Sequence, residues 1–304
     1  MSSQGTPKEA KGSKAKMGNN EKAEEVAQQG VVDKKRKRKE VFPFGNYRNY
    51  YGYRVGQDLE EDPRLKVLRK EWFEGKDCLD IGCNNGLLTI CIAKKFCCHS
   101  ILGVDIDFDR IEDANWNLRK ILRKESASNR CSNASKLEVA ESSNGLEPSV
   151  NASVDEETRE ISGDCSPCKE RDLSRIVSFR KENFVLSWHP PLGKHYDTIL
   201  CLSVTKWIHL NWGDDGVITL FTKIWRLLQP GGIFVLEPQP WRSYESNRLV
   251  SETAAINYRN IMFFPDHFQD LLLDKIGFRK VEDISSSLSG SKSGFSRPIL
   301  AFQK

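Results

Sequence analysis

The sequence predicts an α/β fold with a doubly wound sheet of about seven strands, and three observations support this prediction. An apolar segment at 77–81 runs directly into a glycine-containing loop and then into an apolar helix. The next apolar segment, at 101–105, ends in an aspartate that lies 25 residues after the aspartate of that loop. Short apolar segments then continue to alternate with amphipathic ones, which is typical of parallel strands connected by helices.

The elements of the first half follow from apolar periodicity and helix-start signals. A helix is predicted from Pro63 to about residue 71, because proline is favoured in a first helical turn and Leu65 and Leu68 follow at helical spacing. A helix from Phe108 to about residue 122 would place its apolar side chains on one face. The other predicted elements of this half are a strand at 77–81, a helix at 87–96 and a strand at 101–105.

The second half continues the alternation and ends in a pair of strands. Its buried strands are expected to be apolar along their whole length, as in parallel sheets covered on both faces. The predicted elements are, in order, two short apolar segments at 176–179 and 184–186, a strand at 196–202, a helix from 216 to about 228 that stops at Pro-Gly-Gly, a strand at 233–237, and a strand pair at 278–281 and 298–302.

Two regions are predicted to be disordered. Residues 1–40 contain no aromatic residue and are rich in Lys, Glu, Ala, Gly and Ser, so they cannot bury enough apolar surface to offset chain entropy. A low-complexity stretch at about 124–172 is crowded with Ser, Asn and Glu and is interpreted as a surface insertion. One folded domain is therefore expected at 41–304, interrupted by that insertion.

The charge pattern bears on location and partners. Six consecutive basic residues at 34–39 are typical of a nuclear import signal, although a non-specific nucleic-acid contact or a solvated charge run would have the same composition. We expect a nuclear location, with a cytoplasmic one left open. The net charge of +4 is modest and does not by itself indicate RNA binding.

Several classes of protein are disfavoured by the sequence. No apolar run is long enough to cross a bilayer, so no membrane association is expected. Cys165 and Cys168 form a lone CxxC without a second pair at zinc spacing, so no metal is expected. The working expectation for the oligomeric state is a monomer.

The loop after the first strand indicates a nucleotide-like cofactor. Asp80-x-Gly82-x-x-x-Gly86 lets the backbone approach a ligand closely, because two positions carry no side chain. The pattern matches the loop of Rossmann-type methyltransferases that bind S-adenosylmethionine. Asp105, at the end of the next strand, stands where such folds place the acid that accepts both ribose hydroxyls. An ordinary strand–turn–helix connection is the alternative.

Three further stretches are too rich in aromatic and basic residues for plain scaffold. They span residues 42–54, 203–214 and 237–244. The second and third follow buried strands directly, at the carboxyl ends where α/β sheets carry their chemistry. We therefore expect all three to converge on one rim of the sheet.

The region from Phe42 to Lys304 resembles the bicoid-interacting-type RNA methyltransferases, which have the class I S-adenosylmethionine-dependent methyltransferase fold. This family includes the methylphosphate capping enzyme of small nuclear RNA and a smaller relative that acts on 5′-monophosphate RNA. The motifs that carry the resemblance are Gly45-Asn46-Tyr47, Tyr50-Tyr51-Gly52-Tyr53-Arg54, Asp80-Ile81-Gly82-Cys83-Asn84, Cys201-Leu202-Ser203, Thr205-Lys206-Trp207, His209-Leu210-Asn211-Trp212-Gly213-Asp214 and Glu237-Pro238-Gln239-Pro240-Trp241.

The resemblance implies a set of cofactor-binding positions. The methionine part would be held by Arg54 and Gly82-Cys83-Asn84, the ribose by Asp105 and Ile106, the adenine side by Asn183 and Phe184, and the rim beside the sulfonium by Leu202. Asp80 and Gly86, in the same loop, are also expected at the cofactor.

The resemblance further implies methyl transfer from S-adenosylmethionine to a phosphate oxygen at an RNA 5′ end, with Lys206 facing the phosphates. The γ-phosphate of a triphosphate is the favoured acceptor, and a 5′-monophosphate is the alternative. Two other interpretations remain open: a methyltransferase acting on a small molecule or protein, and a weakly catalytic chaperone that binds RNA ends within a ribonucleoprotein.

The chemistry of such a transfer calls for cations rather than a general base, because a phosphate oxygen is already anionic. Lys206, Arg54, Arg242 and Arg297 are the candidate phosphate-binding cations. Aromatic and polar substrate contacts are expected from Tyr47, Trp207, His209 and Trp241. Simpler roles are the alternatives for several of them: Lys206 as a solvated charge, His209 as a core histidine, and the tryptophans as pocket walls.

Overall fold

A computed structural model describes residues 41–54, 61–140, 172–189, 193–285 and 297–304, without the side chains of 53–54 and 128–140. The predicted disordered tail at 1–40, the larger part of the predicted insertion and the CxxC of Cys165 and Cys168 lie outside the described residues. No helix in the described ranges is both long and apolar enough to span a membrane.

Among the described residues, seven strands form one sheet, which confirms the predicted α/β class. They are β1 (Asp77–Ile81), β2 (Ser100–Asp105), β3 (Val177–Lys181), β4 (Tyr196–Leu202), β5 (Leu228–Glu237), β6 (Lys280–Asp283) and β7 (Leu300–Gln303). Their order across the sheet is β3-β2-β1-β4-β5-β7-β6. Strands β1 to β5 are parallel, and β7 runs antiparallel to both β5 and β6. The predicted terminal strand pair is therefore present.

Helices cover both faces of this sheet. They are α1 (Tyr50–Arg54), α2 (Leu87–Phe96), α3 (Phe108–Ala140), α4 (Leu173–Ile176), α5 (Thr205–Leu227), α6 (Trp241–Asn247), α7 (Glu252–Asn260) and α8 (Phe268–Asp270), with a π-helix at Leu271–Ile276 and 3₁₀ helices at Pro63–Lys66, Lys70–Trp72 and Pro265–His267.

The two faces of the sheet bury separate apolar clusters, which is what a doubly wound arrangement requires. Neighbouring residues of β4 point to opposite sides: Ile199 packs with Phe221 and Phe234, whereas Leu200 packs in the cluster that contains Ile90 and Phe73. Because β1 and β4 are covered on both faces, their side chains are buried along almost the whole strand.

Three predicted helix boundaries were wrong. The segment at 63–71 forms two short 3₁₀ helices, since Leu65 and Leu68 alone were too few to establish a helical period. Helix α3 runs to Ala140, 18 residues beyond the predicted end, because no Gly or Pro between 109 and 140 interrupts it. Helix α5 begins at Thr205 rather than at residue 216.

The early start of α5 places most of the aromatic-rich stretch at 203–214 on a helix. Gly213, with φ 62° and ψ −162°, kinks the chain between two helical parts. Its left-handed φ separates a mostly buried first part at 205–212 from the amphipathic second part that the sequence predicted. The stretch 205–212 therefore projects its side chains with helical spacing from the end of β4.

A packing prediction concerns Gly86, which has φ +72° and whose added Cβ would lie 2.5 Å from Cζ of Phe179. We expect Gly86→Ala to lower the free energy of unfolding by about 2–5 kcal/mol, through left-handed strain plus overpacking. Gly75→Ala is the matched control, because Gly75 has φ +66° but nothing within 4 Å of the added Cβ. Urea unfolding should show a loss of only about 1–2 kcal/mol there; equal losses would contradict the packing argument.

Candidate active site

A cleft lies at the carboxyl ends of the central strands, where the sequence placed the chemistry. It contains about 880 Å³ of space, part of it open to solvent. The predicted site residues that line it are Asp80, Gly82, Asn84, Asp105, Ile106, Asn183, Phe184, Leu202 and Trp207.

Asp105 stands at the end of β2 with its carboxylate fixed by backbone donors. It accepts hydrogen bonds from the backbone N–H of Asn84 at 2.9 Å and of Asp107 at 2.9 Å. Burial raises the pKa of Asp105 to about 6, against the lowering effect of these two bonds. The carboxylate is thus held rigidly at the cleft wall and keeps further acceptor capacity for hydroxyl groups.

Asp80 is nearly enclosed beneath the glycine loop. Its Oδ2 accepts a hydrogen bond from the Thr89 hydroxyl at 2.6 Å, and burial raises its pKa to about 6. The nearby Arg64 guanidinium acts in the opposite direction on this pKa.

Arg64 is a cleft residue that sequence reasoning missed. Its side chain is 2% exposed and forms ion pairs with Asp62 at 2.7 Å and Glu237 at 3.5 Å. A signal existed in the sequence: an arginine directly after a helix-starting proline, preceded by an acid, can fold back onto that acid. Other lining residues that were not singled out individually include Tyr51, Ser203 and Val204.

Only some residues of the glycine loop line the cleft. Gly82 lines the cleft, and an added Cβ would lie 2.3 Å from Val204 Cγ2. Cys83 is buried behind the loop, where burial raises the pKa of its thiol well above the usual value. Neither Cys83 nor Gly86 lines the cleft, so both act through packing of the loop rather than through a side chain directed at the cofactor.

The predicted adenine end is built as a turn. Asn183 Oδ1 accepts hydrogen bonds from the backbone N–H of Val185 at 3.1 Å and of Leu186 at 3.0 Å. The ring of Phe184 stacks on Trp188 with 4.8 Å between centroids. Asn183 thus shapes the wall, and Phe184 offers an apolar surface to a flat ring.

The N-terminal stretch crosses the same cleft and meets the second aromatic stretch there, and the third stretch joins the second through hydrogen bonds from Lys206 to Gln239 and Ser243. Asn84 donates to the backbone carbonyl of Tyr47 at 3.2 Å, and the ring of Tyr47 packs edge-on to Trp207 at 5.8 Å. An added Cβ at Gly45 would lie 2.1 Å from the Trp207 ring. Close approach of this glycine allows the N-terminal stretch to close over the start of α5.

Lys206 lies in the first turn of α5 and is only 5% exposed. Its Nζ donates to Asn247 Oδ1 at 2.7 Å and to Ser243 Oγ at 2.9 Å, and it stands 4.2 Å from the centroid of the Trp207 ring. Burial, and secondarily the charge of Arg297, lower the pKa of Lys206 to about 7. Among the described residues, no carboxylate forms an ion pair with this lysine.

His209 lies in the interior rather than at the cleft. It is fully buried, with Nε2 2.7 Å from Asp214 Oδ1 and Nδ1 3.4 Å from the Tyr244 hydroxyl. Burial lowers the pKa of His209, while Asp214 opposes this shift. Both ring nitrogens have partners within the protein, so the geometry favours the core-histidine interpretation.

Trp241 and Arg242 open helix α6. Trp241 stacks on Tyr258 with 4.8 Å between centroids and contacts Phe264 edge-on at 4.7 Å, outside the cleft lining. Arg242 is exposed. The side chain of Arg54 lies outside the described part of the chain, so its predicted cofactor contact stays a prediction.

The cleft fits S-adenosylmethionine. The carboxylate of Asp105 can accept hydroxyl hydrogen bonds, and Phe184, Leu202 and Val104 form apolar wall for a flat base. The absence of a side chain at Gly82 leaves space for close backbone approach. No group of residues in the described ranges has the composition of a metal site.

Comparisons with known proteins agree with this geometry. The family model of Bicoid-interacting protein 3 (Bin3) matches residues 196–304. A probable RNA methyltransferase of Arabidopsis thaliana is 64% identical over 271 residues, covering 89% of this chain and 83% of the relative.

Two further relatives are named as capping enzymes. The 7SK snRNA methylphosphate capping enzyme of Homo sapiens is 39% identical over 286 residues, covering 89% of this chain but 40% of the relative. The U6 snRNA methylphosphate capping enzyme Amus of Drosophila melanogaster is 34% identical over 269 residues, covering 86% of this chain and 75% of the relative. With a seven-stranded doubly wound sheet, a fitting cofactor cleft and these matches over most of its length, the chain belongs to the Bicoid-interacting protein 3 family of methyltransferases.

Proposed function

We propose that this protein transfers the methyl group of S-adenosylmethionine to the 5′-terminal phosphate of a small RNA, with the γ-phosphate of a 5′-triphosphate as acceptor. The observation that carries the proposal is the placement of Lys206. Its ammonium lies beside Trp207, a cleft-lining residue, and its hydrogen-bond partners on α6 are neutral. A buried cation with neutral partners is suited to an anionic substrate.

The proposed reaction needs positioning more than proton transfer. A phosphate oxygen is anionic near neutral pH, so no residue has to remove a proton before attack. S-adenosylmethionine supplies an electrophilic methyl group on a positively charged sulfur. The work left to the protein is to hold the two reactants in line and to exclude water. His209 faces the interior and both of its ring nitrogens have partners within the protein, which agrees with a reaction that needs no general base.

The cofactor-facing roles follow from the cleft lining. Asp105 is suited to the ribose hydroxyls, Phe184 to the adenine base, Leu202 to the rim beside the sulfonium, and the backbone at Gly82 to the methionine part. Arg64, held by Asp62 and Glu237, gives the methionine end a fixed positive charge next to Asp80. We place the reacting centre between Leu202 and Trp207, where the cofactor cleft meets the first turn of α5.

The choice of acceptor and partners rests on the relatives' names. Two of them are named for methylphosphate capping of small nuclear RNAs, which favours the triphosphate over the monophosphate. The same names favour a nuclear location and a ribonucleoprotein setting. We propose that the chain acts there as a monomer that contacts the 5′ end of its RNA.

The test is methyl transfer from labelled S-adenosylmethionine to one short RNA that bears a triphosphate, a monophosphate or a hydroxyl at its 5′ end. We expect label on the triphosphate RNA and none on the hydroxyl RNA, because the acceptor oxygen belongs to the phosphate. Label on the monophosphate RNA alone would show that the acceptor is the 5′-monophosphate and not the γ-phosphate of a triphosphate. No label on any RNA, with cofactor binding intact, would reject the proposal. Transfer that stops after one turnover would favour the chaperone interpretation.

A further inference from the structure

Helix α3 exposes a tryptophan on its outer face. The inner face of this helix packs on β2 and β3, and its residues Ile111, Ala114 and Leu118 are buried there. Trp116, by contrast, is 54% exposed. Nζ of Lys120 lies 4.8 Å from the centroid of the Trp116 ring. The indole is therefore oriented by a cation on the same helix and remains accessible to a ligand.

Three basic residues share this outer face. Arg119, Lys120 and Arg123 lie three, four and seven positions after Trp116, which places them on one side of the helix. All three are exposed. In the part of the chain that the structure describes, none of the three forms an ion pair. Together with Trp116 they form the basic face of α3.

The basic face is unfavourable for the helix by itself. Arg119 and Arg123 are four positions apart, Lys120 and Arg123 are three apart, and like charges at these spacings repel one another on a helix. Glu125, the next acidic residue along the helix, is paired with Lys94 at 2.6 Å and does not relieve this repulsion. A cluster of accessible cations that costs helix stability is suited to an anionic partner.

The helix that carries the basic face begins at the cleft. Asn46 of the N-terminal stretch donates a hydrogen bond to Asp107, directly before α3. The preceding residue, Gly45, lies against the ring of Trp207 in the first turn of α5. Because neighbouring Cα atoms are only about 3.8 Å apart, the starts of α3 and α5 lie close to each other across the cleft. A strand that leaves the cleft there meets the beginning of α3.

The chemistry of the basic face favours a nucleic-acid strand over an acidic peptide. The indole offers a flat surface on which a base can stack, and cations within two helical turns of it can follow the backbone phosphates. An acidic peptide would pair with the cations but would give no reason for an exposed tryptophan among them.

We propose that the basic face of α3 binds the backbone and one base of the substrate RNA downstream of the 5′ end that occupies the cleft. This inference rests on the proposed function for RNA as the ligand, and it adds a contact that depends on RNA length and not on the terminal phosphate. At a rise of about 1.5 Å per residue, Trp116 and Arg123 lie about 12 Å and 22 Å along the axis from the first residue of α3. An RNA too short to leave the cleft does not reach them.

The experiment compares an unstructured RNA of about 20 nucleotides with a 5′-triphosphate dinucleotide, using the full chain and the triple variant Arg119→Gln, Lys120→Gln, Arg123→Gln. The variant should bind the long RNA roughly 100-fold more weakly at 0.1 M salt and about fourfold more weakly at 0.5 M. Three lost phosphate contacts should lower the slope of log affinity against log salt by about 2. Kd values for the dinucleotide and for S-adenosylmethionine should match wild type. Since the substitutions remove like-charge repulsion, the helix should not be destabilised.

Trp116→Ala separates stacking from charge. It should weaken binding of the long RNA by about 5- to 150-fold through loss of one stacked base. The salt slope should stay as in wild type, because the indole carries no charge. Trp116→Tyr should restore most of the affinity, since tyrosine also offers a flat ring. A purely structural role of Trp116 would affect the dinucleotide as much as the long RNA.

The charge-matched control is the triple variant Lys275→Gln, Arg279→Gln, Lys280→Gln. These exposed residues lie before and at the start of β6, at the opposite edge of the sheet from β3. The control should bind the long RNA as wild type does. An equal loss in the control would mean that net charge, and not the basic face, attracts the RNA, and would overturn the proposal.

A folded α3 triple variant that keeps wild-type affinity and salt dependence for the long RNA would also overturn it, and would leave the basic face to a protein partner. An equal loss for the dinucleotide would do the same, because it would place the effect in the cleft. The 5′-hydroxyl form of the long RNA should lose as much affinity in this variant as the triphosphate form does. Methylation of the dinucleotide tests the proposed function separately, since it needs no contact with the basic face.

Discussion

Asp105→Ala is expected to abolish measurable binding of S-adenosylmethionine. Two charge-assisted hydrogen bonds to the ribose would be lost at about 1.5–3 kcal/mol each, so the Kd should rise by roughly 10²- to 10⁴-fold. The variant also leaves the backbone N–H groups of Asn84 and Asp107 without their acceptor. Isothermal titration of the free protein with S-adenosylmethionine measures this directly.

The same carboxylate predicts how cofactor binding depends on pH. The pKa of Asp105 is raised to about 6 by burial, so the acceptor form is present above pH 6 and is lost as the pH falls through that value. Cofactor affinity in wild type should drop by about tenfold from pH 7 to pH 5. Asp105→Asn, which keeps the shape, should bind weakly with a flatter profile. Any pH dependence of cofactor affinity that remains in Asp105→Asn would come from Asp80, whose pKa is also about 6.

Asp109→Ala is the control for Asp105, because it removes an exposed carboxylate from the first turn of α3. It should retain wild-type affinity. If Asp105→Ala is folded, as judged by thermal unfolding, and still binds S-adenosylmethionine within about threefold of wild type, the ribose assignment is wrong. A threefold change corresponds to about 0.65 kcal/mol, less than one such hydrogen bond.

Lys206→Met is expected to remove methyl transfer while leaving cofactor binding intact. Methionine keeps an unbranched stem against Trp207 and deletes the charge. Loss of one charged hydrogen bond to the acceptor phosphate should lower kcat/KM by roughly 10- to 150-fold below pH 7. The deficit relative to wild type should shrink above pH 7, because wild-type Lys206 then loses its own charge.

The measurements for Lys206→Met are methyl transfer to triphosphate RNA and titration with S-adenosylmethionine. Lys275→Met, an exposed lysine of the π-helix, should be unchanged in both. A loss of cofactor affinity as large as the loss of transfer would show that Lys206 supports the cofactor cleft and does not act on the phosphate. Unchanged transfer would remove it from the substrate site.

The regular part of the fold was predictable because local signals agreed with it. The strand at 77–81, the helix at 87–96 and the strand at 196–202 have the predicted limits. In each case a mainly apolar segment is bounded by residues that end it. Where such boundaries were absent, the predicted limits were wrong: α3 continues to Ala140, and α5 starts at Thr205 rather than at residue 216.

The cofactor side of the site was predictable for a related reason. A strand end, a glycine loop and a second strand-end acid are close in sequence, and parallel pairing of β1 with β2 brings them together. The local signals for the other two polar cleft residues were weaker: an acid-proline-arginine sequence for Arg64, and a place at the end of a family motif for Ser203. Buried polar residues of this kind are identified by partners far away in the chain, such as Glu237, which lies 173 residues from Arg64.

The sequence by itself determined the α/β class, the cofactor loop and the acid at the end of β2, since each depends on residues that are neighbours or near neighbours along the chain. The tertiary structure decided which side chains face the cleft. Cys83 and His209 belong to the family motifs, but their side chains pack inward. Lys206 meets Asn247 only because β4 and β5 end at one rim and α6 follows β5 there, and burial at that rim sets its charge. Orientation and desolvation arise from packing between distant segments, so no local pattern can contain them.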